Sequence, residues 1–173
     1  GAAVPGRWPL GTKAVTRSQR TADNRASLLQ ELSAVYPDAR LEVRVLDVAD
    51  KPAVLALLRE AKAQWPQCDG IFHLAGTLDD GFAHQLDWRR CERVLAAKAY
   101  GALHLHTCSM ELQLDLSHFV LFSSVAARLI SAGQANYAAA NCTLDALSSL
   151  RHAHAQAAAS VEWGPWAAVG MAA

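Results

Sequence analysis

The sequence has no excess of charge of either sign: 16 Lys and Arg stand against 16 Asp and Glu, for a formal net charge of zero. Nucleic acid and anionic membranes are bound through a basic excess or a basic patch, so neither is an expected partner. No apolar run approaches the ~20 residues that span a bilayer. The first ten residues, GAAVPGRWPL, do not follow the charged start, apolar centre and small-residue cleavage site of a secretory signal. A cytoplasmic protein is expected. Cysteine is sparse: Cys68, Cys91, Cys108 and Cys142 are widely spread with no C-x-x-C pair. A zinc site needs ligands at short spacing, so these read as reduced, buried, small apolar side chains, and no metal is expected. The seven histidines are scattered, and His104 and His106, two apart, fall on different faces of a helix. A glycine-rich phosphate loop is also missing. The glycines before Lys13 are Gly1, Gly6 and Gly11, evenly spaced with no strand ahead of them.

What is present is 173 residues, 52% apolar, enough for one globular domain with a real core. Residues 1–12 read as an irregular segment and 13–173 as the domain. Short β-like runs alternate with longer helical ones. Lys13–Thr16 is a short strand. Ala22–Tyr36 sets Leu28, Leu29, Leu32 and Val35 at helical spacing, and Pro37 stops it. Leu41–Val48 is a strand ending at Asp47. Asp50 caps the next helix, with Pro52 in its first turn. Asp69–Leu74 is an apolar strand followed by Ala75-Gly76. Asp87 caps a long helix whose inner stripe holds Cys91, Val94, Leu95, Lys98, Ala102 and Leu105. His118–Ser123 is a buried strand, 135–154 an alanine-rich helix, and Ser160–Trp163 a last strand.

Strand and helix in alternation mean βαβ units: an α/β fold with a parallel, Rossmann-like sheet and helices on both faces. Ligands of such sheets bind beyond the carboxyl ends of the strands. That rule points to Arg17–Ser18, Asp47–Val48, Ala75–Gly76, Ser123–Ser124 and Gly164–Trp166. Tyr137 and Asn141, four apart, share one face of the alanine-rich helix. Ser124 ends the preceding strand. Lys98 falls in an apolar stripe, which is unfavourable for a lysine unless it is paired or functional. Its ammonium can favour the phenolate of a nearby tyrosine, and a phenol so tuned is a useful proton donor near neutral pH.

The segment Phe119–Asp145, FVLFSSVAARLISAGQANYAAANCTLD, closely resembles the signature of ketoreductase domains in type I polyketide synthases and animal-type fatty acid synthases, within the short-chain dehydrogenase/reductase superfamily. HLAGTLDD (His73–Asp80), KAYGALHLH (Lys98–His106) and VEWGPWAAVGM (Val161–Met171) surround it in that family's order and approximate spacing. The resemblance runs from Lys13 to Met171. In that family the tyrosine is followed four residues later by asparagine and the lysine comes from the preceding helix, as here. It implies NADPH-dependent reduction of a β-ketoacyl thioester held by an acyl carrier protein, among neighbouring synthase domains. Tyr137 would give the proton to the developing alkoxide, and Ser124 would hydrogen-bond the same oxygen. Lys98 would bind the nicotinamide ribose and bias Tyr137, with Asn141 helping to hold the lysine and a water path. Arg17 would take the adenosine 2′-phosphate through its planar fork, assisted by Ser18. Asp47 and Val48 would flank the adenine, and Ala75 and Gly76 would let backbone approach the cofactor. Gly164, Pro165 and Trp166 would line the nicotinamide end. Leu78-Asp79-Asp80, with Leu129 where the A-type has tryptophan, implies the B-type and a D-configured β-hydroxyl. Gln134 belongs to the same substrate-side group.

The resemblance also leads one to expect a G-G-x-G-x-x-G loop after a first strand and a lid after Gly170-Met171. Neither is in the sequence, so a domain cut at both ends is expected. Taken singly, Tyr137 reads as a packing residue, Lys98 as a solvated lysine, and Asp79-Asp80 as a solvated turn before Gly81. Trp65 and Trp88 read as packing residues and Trp163 as core. The alternative functions are a non-catalytic structural domain of a synthase and a stand-alone short-chain dehydrogenase.

Overall fold

The computed structural model of the chain describes residues 11–15, 22–65, 67–129 and 132–165. It divides into two compact units, Gly1–Leu46 and Asp47–Ala173. In the first unit, strand β1 (Gly11–Val15) pairs in parallel with β2 (Arg40–Arg44), and α1 (Ala22–Val35) connects them. The α1 stripe is less buried than its spacing predicts: Leu29 is half-buried, while Leu32 and Val35 are exposed. β2 stops at Arg44, short of the expected Val48.

The turn that replaces the end of that strand opens the second unit. Asp47 Oδ1 accepts the Ala49 N–H at 3.1 Å, and the Asp50 N–H returns to the Asp47 carbonyl. An aspartate that bonds its own downstream backbone turns the chain away from a strand. Asp50 then caps α2 (Lys51–Gln64) by accepting the Ala53 N–H at 3.2 Å, with Pro52 in the first turn. Val54, Leu58 and Ala61, spaced four and three, are its buried face.

β3 (Gly70–His73), β4 (His118–Ser124) and β5 (Ala159–Trp163) form a three-stranded parallel sheet in that order. Along β4 the side chains alternate, so Phe119, Leu121 and Ser123 are buried on one face. Phe119 meets His106 edge-on and lies 4.0 Å beneath the Arg151 guanidinium. These contacts place α4 (Gly101–Glu111) and α5 (Ala135–Ala153) on that face. Lys62 of α2 donates to the Leu112 carbonyl at 2.6 Å and so satisfies the end of α4. On the opposite face Phe122 stacks on Trp163 at 5.5 Å. Trp163 is 39% exposed and Trp88 64%, so neither is the core or packing residue that the sequence suggested.

The long helix expected after Asp87 is present but is not α-helical throughout. Asp87 does cap α3 (Trp88–Leu95), accepting the Arg90 N–H at 2.8 Å. A π-turn over Ala96–Tyr100 then intervenes before α4. The four cysteines are free, but only Cys108 is buried; Cys142 is exposed because it follows buried Asn141 by one helical step of about 100°. His104 and His106 are engaged separately, with the Val48 carbonyl and Arg151. Among the described residues no helix is long and apolar enough to cross a membrane, and no group of three or more His, Cys, Asp or Glu could hold a metal.

Candidate active site

Parallel pairing puts the ends of β3, β4 and β5 on one side. His73 pairs with Leu121 and Ser124 with Trp163, so Leu74–Gly76, Ser124 and Gly164–Pro165 leave the sheet at the same edge. Ala75 and Gly76 are half-buried there, whereas Gly164 and Pro165 are exposed, and a Cβ on Gly164 would meet nothing. Asp47 is exposed and Val48 half-buried, in the turn before α2. Arg17, Ser18 and Trp166 lie outside the described residues.

Lys98 projects from the π-turn and is 3% exposed. Its ammonium donates to the Phe122 carbonyl at 2.7 Å and lies 5.3 Å from the centre of the Tyr137 ring. A cation at that distance is attracted by the ring face. Burial lowers the Lys98 pKa from 10.5 to about 8, with Asp145 pulling weakly the other way. The solvated-lysine reading is therefore overturned by the packing.

Tyr137 is 9% exposed and packs with Val94, Ala126 and Ala140, flanked by Leu78 and Leu95. Fully burying a valine or leucine side chain contributes ~1.5–3 kcal/mol and a methyl group less, so the ring is held by the core rather than by a loop. Ser124 ends β4, and its hydroxyl accepts the N–H of Ala126, a member of the same cluster, at 3.2 Å. Asn141 is fully buried and donates to the Tyr137 carbonyl at 2.8 Å. That bond ties it to the tyrosine's backbone; its Oδ1 is buried without a hydrogen-bond partner.

Asp79 is not a solvated turn residue. Its carboxylate is 12% exposed and accepts from Arg90 Nε and Arg93 Nη1, both at 2.7 Å. Arg90 also reaches the Gln85 and Asp80 carbonyls. The same loop is fastened to the start of α5. Asn136 donates to the Asp79 carbonyl at 2.8 Å, Gln134 to the Asp80 carboxylate at 2.9 Å, and the Gly81 N–H to the Gly133 carbonyl at 2.8 Å. Leu78 thereby reaches the Tyr137 cluster, whereas Leu129 is 63% exposed. Gly133 is required here because its φ is +81°.

Arg90, Asn136 and His73 were not anticipated as site residues, and Ser123 was pointed to only by its place at the end of a strand. Ser123 donates to the Asn141 carbonyl at 3.4 Å, and His73 meets the Lys98 carbonyl at 2.9 Å. Asn136 stands next to Tyr137, and His73 opens the HLAG word, but sequence spacing does not reveal partners this distant along the chain.

Polyketide synthase GfsB of Streptomyces halstedii is 46% identical over 158 residues, which cover 91% of this chain and 3% of that protein. A ketoreductase domain from the bacillaene assembly line has a TM-score of 0.82 at 34% identity, over 92% of this chain and 38% of that one. An A1-type ketoreductase scores 0.79 at 39% identity, over 92% and 33%. The chain thus spans a small fraction of the synthase and less than two-fifths of either solved chain. A family model described as the KR domain matches residues 13–168. On that match, and on a parallel α/β sheet shared with solved ketoreductases, the chain belongs to the ketoreductase (KR) domain family of polyketide synthases, within the short-chain dehydrogenase/reductase superfamily.

Proposed function

We propose that this chain carries the reducing site of a β-ketoacyl reductase. It acts in NADPH-dependent reduction of a β-ketoacyl thioester, presented by an acyl carrier protein within a multidomain synthase, to the β-hydroxyacyl thioester. The observation that carries this reading is the buried Lys98 ammonium, 5.3 Å from the Tyr137 ring at the carboxyl end of the sheet. A non-catalytic domain has no use for a desolvated ammonium, because an apolar side chain packs there more favourably.

The residues present suit a nicotinamide dinucleotide. An ammonium has three N–H donors, and the Phe122 carbonyl takes one, which leaves two for neighbouring ribose hydroxyls. When bound, the dinucleotide supplies the hydride. Tyr137 gives its phenolic proton to the substrate carbonyl oxygen as charge grows there, and the Ser124 hydroxyl steadies the same oxygen. Lys98 as a cation favours the phenolate that Tyr137 leaves behind. Asn141 fixes the tyrosine's backbone. Arg17 and Ser18 hold the 2′-phosphate, Asp47 and Val48 flank the adenine, and Ala75 and Gly76 admit the dinucleotide. Gly164, Pro165 and Trp166 line its nicotinamide end. The Leu78-Asp79-Asp80 loop, with Leu129 and Gln134, faces the substrate and directs B-type, D-configured product.

The test is consumption of NADPH with a diffusible β-ketoacyl thioester, followed by chiral chromatography of the product. Tyr137→Phe lowers kcat by at least about 100-fold, the lower range for general-acid loss. Turnover near that of the parent protein would remove Tyr137 as proton donor. Equal use of NADH would remove Arg17 as a phosphate ligand, and L-configured product would overturn the B-type assignment.

A further inference from the structure

A π-turn inside a helix shifts its backbone hydrogen bonds from the i→i+4 to the i→i+5 pattern, which re-aims its carbonyls. At Ala96–Tyr100 the Lys98 carbonyl accepts the Gly101 N–H from within the helix and is met from outside by His73, the last residue of β3. The His73 side chain is 2% exposed, and Nε2 lies 2.9 Å from the Lys98 carbonyl oxygen. A carbonyl only accepts, so Nε2 carries the proton, as it does in the neutral Nε2–H tautomer. Burial agrees with this: desolvation lowers the His73 pKa from 6.5 to about 4. Gly101 clears the approach. A Cβ there would come within 3.1 Å of His73 Cε1 and 2.8 Å of Val48 Cγ2.

The other end of the same lysine is held by the next strand, where the ammonium donates to the Phe122 carbonyl. His73 pairs in register with Leu121, the residue before Phe122. One residue is therefore pinned, backbone and side chain, to adjacent rungs of two neighbouring strands. We propose that His73 is a positioning residue for Lys98: its neutral imidazole locks the π-turn carbonyl so that the ammonium is presented to the Tyr137 ring, and Gly101 is the gap that admits the imidazole. Its effect on reduction rests on the function proposed above; the positioning itself does not.

Three variants test it. His73→Phe removes the donor and keeps the bulk, His73→Gln keeps an N–H donor, and Gly101→Ala displaces the ring without removing it. The first readout is the titration of Lys98 followed by 13C NMR of labelled lysine, with Lys98→Arg assigning the signal. His73→Phe and Gly101→Ala raise the Lys98 midpoint by about one pH unit or more as the ammonium regains solvent, while His73→Gln stays close to the parent protein. The second readout is reduction. In the first two variants kcat falls about tenfold or more with little change in KM, and the alkaline limb of the kcat profile moves with the midpoint. Unchanged Lys98 midpoints with only a lower Tm would make His73 a packing residue and overturn the proposal. If His73→Phe does not fold, Gly101→Ala decides, and a parent-like midpoint there overturns it. A parent protein that reduces nothing would sink the reductase reading, while the NMR comparison would still decide the role of His73.

Discussion

The two helices that supply the site are built differently. α5 runs unbroken from Ala135 to Ala153 and places Tyr137 and Asn141 on one face by simple helical spacing. The helix bearing Lys98 is interrupted by a π-turn at that residue. Val94, Lys98 and Ala102 are nonetheless all buried, at 0%, 3% and 0% exposure, although strict steps of four drift around a regular helix. The wider turn takes up that drift and keeps the lysine pointing inward. α5 therefore holds its groups by regularity, and the helix with the π-turn holds its group through contacts with the strands.

The sharpest way to break this comparison is to remove the chemical group from the helix with the π-turn. Lys98→Met keeps the length and the apolar packing but removes the cation. Reduction of a β-ketoacyl thioester drops by about 100-fold or more. Stability at neutral pH holds or rises, since the replaced ammonium was desolvated. Loss of activity accompanied by equal loss of stability, measured by urea unfolding, would mean that Lys98 is a structural residue like any on α5.

The next effect is a pH dependence confined to the same helix. The folded-state pKa of Lys98 is lowered from 10.5 to about 8. Between those values the unfolded chain binds more protons than the folded one, so stability from this group rises with pH across the window. Below pH 8 the full penalty is present. The stability of the parent protein relative to Lys98→Met should therefore increase by about 3 kcal/mol from pH 7.5 to 10.5. A flat difference in urea unfolding across that range would place the ammonium in solvent.

Regularity also explains what the sequence made legible. The alternation of strands and helices, the Asp50 and Asp87 caps, and the shared face of Tyr137 and Asn141 all follow from local spacing and capping chemistry. The π-turn did not, because Leu95, Ala96 and Ala97 are ordinary helix formers and nothing local forbids a regular helix. The early end of β2 at Arg44 turned on Asp47, whose side chain chose a turn over the strand. The Arg90–Asp79 pair was illegible for a third reason: its partners stand eleven residues apart across an irregular loop with no periodicity to relate them.

That loop provides the smallest of these effects, and it joins the two helices. Arg90 and Arg93 on α3 grip the Asp79 carboxylate, while Asn136 and Gln134 at the start of α5 hold the Asp79 carbonyl and the Asp80 carboxylate. Asp79→Ala leaves two arginines without their shared acceptor and lowers stability by about 1–2 kcal/mol, because Asp79 and Arg90 are mostly buried while Arg93 is half in solvent. Gly81→Ala should act through the same pair, since its Cβ would lie 2.6 Å from Arg90 Nη1. Gln134→Ala, at an exposed contact, changes stability by less than about 0.5 kcal/mol. Combining Asp79→Ala with Gly81→Ala should give less than the sum of the two losses, because both act on one guanidinium. Strict additivity in urea unfolding would mean that Arg90 does not couple the loop to α3, leaving Arg93 and the apolar cluster around Tyr137 to join the two helices.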